Sequence, residues 1–523
     1  MADLRRLLYR GYFPINVPQP FSTTDFARLL SDGTKTHRGF LRPTDPGARE
    51  KYELAEHNLA RVGQLRRVLG IPNPVPFYTL AMDICANWSA IDRELNRGSL
   101  SVSRPIPVTR GARAFAAYAG FPDRGRIRAR RRVGFRYVLF ADVQKFYPSV
   151  YTHAAPWALH TKAVAKQRRN DRTLLGNRLD GWIRDAQDAQ SVGLPIGPDT
   201  SWILSELVLT GVDRILEKRL SNLVGIRSVD DYELYFRTPG EAEEALAILQ
   251  TALAVYGLAL NQHKTRIENL PVPLEDTWPM KLRDLRMRRG PVAQISDLLA
   301  YFSNAFELAQ QHPTASVLRF ALSRVRRVPL HGTSWQTFQD LLFQCAVAEP
   351  GTLQYVLATL RRWQRLGHAV DADRFQETVA EIIGKHLPLA HGSEVAWALW
   401  ASVALAIPLV KAVIKNLPRT TDPLVPILAL HAESIGLAPG LNKARWQKLV
   451  VEDELYGPNW LLVYEGTQRN WLSPGPADPI KKHRAFKHLR SNKVSFYRSN
   501  ASAEYIPPWR RSLGLPQLIG YGL

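Results

Sequence analysis

Cysteine is nearly absent: Cys85 and Cys345 are the only two among 523 residues. Two thiols cannot complete a zinc site by themselves and make no disulfide framework, so a reducing compartment is expected. Long apolar runs are also missing. The most membrane-like stretch, Val395 to Val410 (VAWALWASVALAIPLV), contains Pro408 and falls short of the roughly 20 residues a spanning helix needs. It reads as a buried helix pair, and no membrane partner is expected. The opening MADLRRLLYRGYFPINVPQPF holds no continuous apolar segment, so no secretory signal is expected. The histidines show no metal-ligand spacing, and His153 reads as structural. Acidic residues are in deficit, 47 Asp and Glu against 69 Lys and Arg, for a formal charge of +22. That balance favours polyanionic partners such as nucleic acid, nucleotides or an acidic membrane face, although a basic but inert surface has the same count.

What is present is the material of a globular protein, 45% hydrophobic and 10% aromatic, with length for roughly two to four domains. Residues 1–136 are mixed, with loop signals in SDGTKTHRGFLRPTDPG and a helix expected over REKYELAEHNLARVGQLRRVLG. In DRGRIRARRRVGFRYVLFADV the residues Arg124, Arg126, Arg128 and Arg130 alternate. On a strand, that spacing would put them on one face, as a basic stripe or as a charged guard on an edge strand.

From Tyr137 the pattern sharpens. YVLFADV reads as a strand with Asp142 near its end. PDTSWILSELVLTGVDRILEKRL has helical spacing, with Ile203, Leu207, Val208 and Val212 on one side. VGIRS and YELYF flank VDD as a hairpin, GEAEEALAILQTALAVYG is an amphipathic helix stopped by Gly257, and LALNQHKTRIENL closes as strand or hairpin. Strand, helix, hairpin, helix, strand is the split βαβ, ferredoxin-like order. Beyond residue 286 short helical segments recur between Pro and Gly, which suggests a helical array, with an irregular bundle as the alternative.

In a split βαβ sheet the strand bearing Asp142 and the hairpin bearing Asp230 and Asp231 are neighbours, so the three carboxylates can converge. Hard divalent cations take such oxygen ligands, and two ions roughly 3.5–4 Å apart can activate a 3′ hydroxyl and stabilise a leaving pyrophosphate.

This order resembles the reverse transcriptase palm. FADVQKFYPSVY is similar to motif A, GLPIGPDTS (Gly193 to Ser201) to motif B, SVDD (Ser228 to Asp231) to motif C and GLALNQHKT (Gly257 to Thr265) to motif D. The resemblance implies Asp142, Asp230 and Asp231 as catalytic residues and Asp142, Val143, Asp230 and Asp231 as the metal set, for Mg²⁺ or Mn²⁺. Tyr147 would be the gate that favours deoxynucleotides. Pro195, Gly197 and Lys264 would lie at the nucleotide, with Lys264 near the triphosphate. Ser228 stands where an aromatic residue is usual, which puts positioning of a primer terminus in question, and Ile196 where motif B usually has glutamine, which puts ordinary templated copying in question.

More narrowly, KFYPSVYTH, GLPIGPDTS and the helical second half resemble the bacterial abortive-infection and defence-associated reverse transcriptases. YGPNWLLVYE (Tyr456 to Glu465) and FKHLRSNKVSFY (Phe486 to Tyr497) are similar to that branch's carboxy-terminal region. The implied fold is α+β: fingers within residues 1–136, a ferredoxin-like palm over 137–285, and an all-α HEAT-like region with a basic tail over 286–523. The implied function is cytoplasmic, in bacterial anti-phage defence. It is untemplated synthesis of single-stranded DNA from dNTPs, primed by a tyrosine of the protein and carried out by a homo-oligomer. Arg124, Arg126, Arg128 and Arg130 would then face nucleic acid. Tyr9, Tyr12, Tyr505 and Tyr521 are the priming candidates. Two other readings stand beside it: RNA-templated synthesis on a bound noncoding RNA, and an inactive nucleic-acid-binding scaffold.

Overall fold

A computed structural model describes residues 2–31, 40, 51–62, 66–283, 286–288, 290–326 and 328–501. Tyr505 and Tyr521 lie outside them. The helix expected over residues 49–70 is, in its described part, a hairpin of β1 (Ala55–Leu59) and β2 (Arg67–Ile71), in register from Ala55↔Ile71 to Leu59↔Arg67. Ala55, His57, Leu69 and Ile71 all turn to one buried side. That period-two burial outweighs the helix propensity of the Ala, Glu, Leu and Arg residues around it.

A second hairpin, β3 (Pro105–Pro107) with β4 (Phe115–Ala117), precedes α1 (Phe121–Arg131). Here too the expectation is corrected, because the arginine run is helical. Asp123 in the first turn and Arg128, Arg130 and Arg131 in the last suit the helix dipole. At 3.6 residues per turn the four arginines divide between two faces. Arg124 and Arg128 turn inward, while Arg126 and Arg130 are exposed.

The aspartates sit on a four-stranded sheet. Its members are β5 (Tyr137–Asp142), then, after α2 (Asp199–Arg219), β6 (Val224–Ser228) and β7 (Asp231–Phe236), and, after α3 (Pro239–Val255), β8 (Arg266–Asn269). The order is β6-β7-β5-β8 with every neighbouring pair antiparallel, which is the ferredoxin-like order. Helix α3 begins with a capping box between Thr238 and Glu241. Leu139 and Leu234 share the sheet face packed on α2 and α3. On the opposite face lie Asp142, Asp231, Glu233 and Tyr235, and α1 covers part of it. Arg128 Nε and Arg132 Nη2 reach Glu233 at 2.7 and 2.5 Å.

The second half stacks helices in two layers. One layer holds α4 (Pro291–Gln311), and the other starts with α5 (Val317–Val325). They continue alternately with α6 (Trp335–Ala348), α7 (Leu353–Arg365), α8 (Ala372–His386), α9 (Gly392–Leu405), α10 (Lys411–Asn416), α11 (Val425–Ser434) and α12 (Trp460–Gln468). Helices α4, α6, α8 and α10 follow one another in one layer, and α5, α7, α9, α11 and α12 in the other. The run Val395–Val410 is the buried helix α9 plus a linker containing Pro408. Among the described residues no helix is long and apolar enough to cross a membrane.

The amino-terminal segment is bound to this stack. Trp400 Nε1 donates to Gln19 Oε1 at 2.7 Å, Trp397 Nε1 to the Asn16 carbonyl at 3.0 Å, and Asn73 Nδ2 to the Leu455 carbonyl at 2.8 Å. The boundaries expected at 136 and 285 therefore cross one continuous apolar core.

Candidate active site

The register of β5 and β7 places Asp142 directly opposite Asp231, and Ser228 of β6 is opposite Asp231 on its other side. Like charges in directly opposed positions repel, so a cation beside them stabilises this arrangement. Asp230 occupies the two-residue turn between β6 and β7 with Val229. Two-residue hairpin turns call for positive φ, and Val229 supplies it with φ 56°. For a β-branched residue this costs about 1–3 kcal/mol. The surroundings hold it in place: Ser103 Oγ accepts from the Val229 N–H at 2.6 Å, and Arg227 Nη1 donates to the Val229 carbonyl at 2.9 Å. Val143 N–H donates to the Asp230 carbonyl at 3.2 Å, which joins the motif A strand end to the turn.

The electrostatics of the cluster follow from burial and crowding. Asp230 is pushed up to about 6, by burial first and by Asp142 second. Asp231 is pushed up to about 7 by burial, by Asp230 and by Asp142, with which it shares a hydrogen bond. Asp142 itself is held by Lys264 Nζ at 2.9 Å and Asn261 Nδ2 at 3.0 Å. Asp230 Oδ1 is buried with no hydrogen-bond partner. An orphaned carboxylate oxygen beside two repelling carboxylates is a donor set of hard oxygens, and it fits Mg²⁺ or Mn²⁺.

Motif B lies against the β1–β2 hairpin, whose Arg67 acts on Asp230. The Gly70 N–H of β2 donates to the Ile196 carbonyl at 3.0 Å, and a Cβ at Gly70 would come within 2.8 Å of Pro195. Gly197 has φ 131°, and a Cβ there would meet Pro14 at 2.5 Å. The amino-terminal segment thus covers the motif B turn. Gly197→Ala is expected to lower the thermal midpoint through about 1–3 kcal/mol of backbone strain plus that clash; a scanning fluorimetry comparison with wild type checks it. Asp199, at the start of α2, is buried and clamped by Arg113 and by the Ala114 and Phe115 N–H groups. Tyr147 is buried, its hydroxyl accepting from Ser205 Oγ at 3.3 Å and its carbonyl from Leu194 N–H at 2.9 Å.

The structure thus brings together Asp142, Val143, Asp230, Asp231 and Lys264, with Pro195 and Gly197 in the adjoining turn. Arg124 also interacts electrostatically with Asp231, whereas Arg128 is taken up by Glu233 and Arg126 and Arg130 face solvent. Of the priming candidates, Tyr12 is corrected to a core residue. It is fully buried, stacked on Phe77 at 3.9 Å, and its hydroxyl donates to the Pro72 carbonyl at 2.6 Å. Tyr9 is half-buried and lines a cavity of about 350 Å³ with Arg10, Arg113, Tyr355, Trp397 and Arg498. Two residues escape sequence reasoning. Asn261 lies within motif D but was not singled out there. Arg67, at the start of β2, is close enough to act on Asp230. Nothing local marks it, because its place depends on β2 being a strand.

Residues 89–293 match the family described as Reverse transcriptase (RNA-dependent DNA polymerase). Among solved structures, apo telomerase from Candida tropicalis is similar at 11% identity and TM-score 0.34, over 80% of this chain and 71% of that one. Telomerase from Candida albicans, in complex with a fragment of telomeric RNA, is similar at 10% identity and TM-score 0.30, over 76% of this chain and 66% of that one. No curated protein matches. The chain carries a reverse transcriptase domain over residues 89–293.

Proposed function

We propose that this protein is a divalent-metal-dependent DNA polymerase that builds a single strand from dNTPs without copying a template, starting from one of its own tyrosines. The observation that carries this reading is the convergence of Asp142, Asp230 and Asp231, two of them raised and one oxygen orphaned. Asp142, Asp230 and Asp231, with the Val143 backbone beside them, would hold two ions. Such ions, when bound, supply charge that activates the attacking hydroxyl and stabilises the departing pyrophosphate.

The chain's own residues do the rest. Asn261 orients Asp142. Lys264, half-exposed on a short turn, exchanges Asp142 for the triphosphate and gives the pyrophosphate a proton. Arg67 and Arg124 add positive charge beside the carboxylates. Tyr147 closes the space a ribose 2′ hydroxyl would need.

Untemplated synthesis is supported by Ile196 and Ser228 in place of the usual glutamine and aromatic residue, and by Pro14 against Gly197. We read the two-layer helical half as a HEAT-like cradle for the product strand, the assembly as a homo-oligomer, and the setting as anti-phage defence in the bacterial cytoplasm. Protein priming is tested by mass spectrometry of nuclease-digested protein after incubation with Mg²⁺ and dNTPs. A nucleotide-modified tyrosine, with Tyr9, Tyr505 and Tyr521 as the candidates, supports it, and its absence from an active preparation refutes priming. Sequencing the product decides the template question: copies of one RNA would replace this reading with the RNA-templated one. The exposed Arg126 and Arg130 would contact the strand's phosphates. Arg126→Ala/Arg130→Ala is expected to reduce the salt dependence of single-stranded DNA binding by roughly 0.7 per lost contact in log–log slope, measured by fluorescence anisotropy.

A further inference from the structure

Far from the aspartates, at the joint between the β1–β2 hairpin and the helical stack, a second group of ligand-type side chains converges. His386 ends α8, His391 occupies the position just before α9, and Glu394 lies in the first turn of α9. The sequence shows no ligand spacing here because the turn between two helices, and not one helix face, brings the three together. His386 Nδ1 and His391 Nδ1 are 2.9 Å apart, and Glu394 Oε1 is 3.6 and 3.8 Å from them. His386 and Glu394 are buried and His391 is partly so.

Two imidazole nitrogens at that distance cannot both carry protons, so at least one presents a bare lone pair to the other, beside the Glu394 carboxylate. A tetrahedral zinc ion, with bonds of about 2.0–2.2 Å, wants its donors roughly 3.4 Å apart. The present triangle meets that with shifts of a few tenths of an ångström. Two imidazoles and one carboxylate are also the mixed N/O donor set zinc accepts.

The surroundings support a fixed site. Arg66 forks onto Glu394, with Nη2 to Oε2 at 2.7 Å, and its Nε donates to Asn58 Oδ1 at 3.0 Å. Asn58 Nδ2 in turn donates to the Ala390 carbonyl at 3.1 Å. Arg66 Nη1 also holds Oε1, so an ion at Oε1 would use that oxygen's second lone pair while Nη2 keeps the carboxylate oriented through Oε2, in the manner of an outer-shell partner. Gly392 leaves the space beside it to Asp422, which is bonded to His57 of β1 at 2.8 Å.

We propose that His386, His391 and Glu394 bind one Zn²⁺, with water in the fourth position, and that this ion ties the end of α8 to the start of α9, with Arg66 beside the β1–β2 hairpin as its outer partner. Binding expels the proton lying between the two Nδ1 atoms to solvent.

The test uses the full chain without a polyhistidine tag, stripped with a chelator, dialysed and titrated with Zn²⁺. Metal content is read by mass spectrometry and the thermal midpoint by fluorimetry. Wild type is expected to retain one Zn²⁺ per chain more than His386→Asn/His391→Asn, and to gain thermal midpoint on zinc addition. His391→Asn alone, asparagine being well suited to a helix N-cap position, is expected to bind at least tenfold more weakly. Equal zinc retention in wild type and both variants, or no zinc retained by wild type, overturns the proposal.

Discussion

Asp230→Asn is expected to cut nucleotide incorporation by about 10³-fold or more while raising the thermal midpoint of the metal-free protein at pH 8. The two effects have one cause. Asp230 titrates near 6 in the folded chain because burial and Asp142 oppose its charge, against about 3.9 when unfolded. Between those values the folded state binds more protons than the unfolded one. The Asp230 contribution to metal-free stability is therefore highest below pH 4 and falls as pH rises through about 6. For Asp230 alone the loss at pH 8 is on the order of 3 kcal/mol, and Asp231, raised to about 7 by burial and its neighbours, extends the fall to neutral pH. Asparagine removes that cost, and Mg²⁺ binding offsets it in the wild type by mass action. Melting curves with chelator and with Mg²⁺, from pH 5 to 8, check both signs. A variant less stable than wild type at pH 8 without metal would show that the carboxylates are not strained against each other.

Arg227→Met is expected to destabilise the fold by about 3–5 kcal/mol and to abolish synthesis with the aspartates intact. Arg227 is fully buried and bonds Asp213 at 2.8 Å, Glu206 at 3.0 Å and the Val229 carbonyl at 2.9 Å. Burial works against its charge, but Asp213 and Glu206 outweigh burial and keep the guanidinium protonated. Ser101 and Ser103 donate to Glu206, and Tyr232 to Asp213. Removing the arginine leaves two buried carboxylates unpaired and frees the strained Val229 turn. The triple variant Arg227→Met/Glu206→Gln/Asp213→Asn is expected to recover part of the midpoint, since no charge is stranded, but not activity, since the turn has lost its clamp. Calorimetry and an incorporation assay on the same samples separate the two; recovery of activity with stability would reduce Arg227 to a purely structural role.

The palm was legible because its signals are local. The short apolar run YVLFAD, the helix stripe from Ile203 to Val212 and the stop at Gly257 each act within a few residues, and the β5–β7 register then forces Asp142 opposite Asp231. What was misread depends on distant partners. The β1–β2 hairpin is decided by burial of His57 against Asp422, 365 residues away, which no window around residue 57 contains. The arginine run has a strand's alternation, yet Arg128 and Arg132 are drawn to Glu233 at helical spacing. Arg67 and the His386–His391–Glu394 group were invisible for the same reason: their neighbours come from tertiary packing. The α-helical half was readable helix by helix, but its two-layer stacking and its contact with Asn16 and Gln19 emerge only in the fold.

The central claim is that Asp142, Asp230 and Asp231 form a working metal-dependent polymerase centre. The most direct measurement incubates purified protein with Mg²⁺ and labelled dNTPs, adding neither primer nor template. The products are then resolved on a denaturing gel before and after protease treatment. This account predicts labelled DNA that requires Mg²⁺ or Mn²⁺, disappears with chelator and in Asp142→Asn, and migrates with the protein until protease releases it. Folded wild-type protein that incorporates none of the four dNTPs with either metal would contradict it.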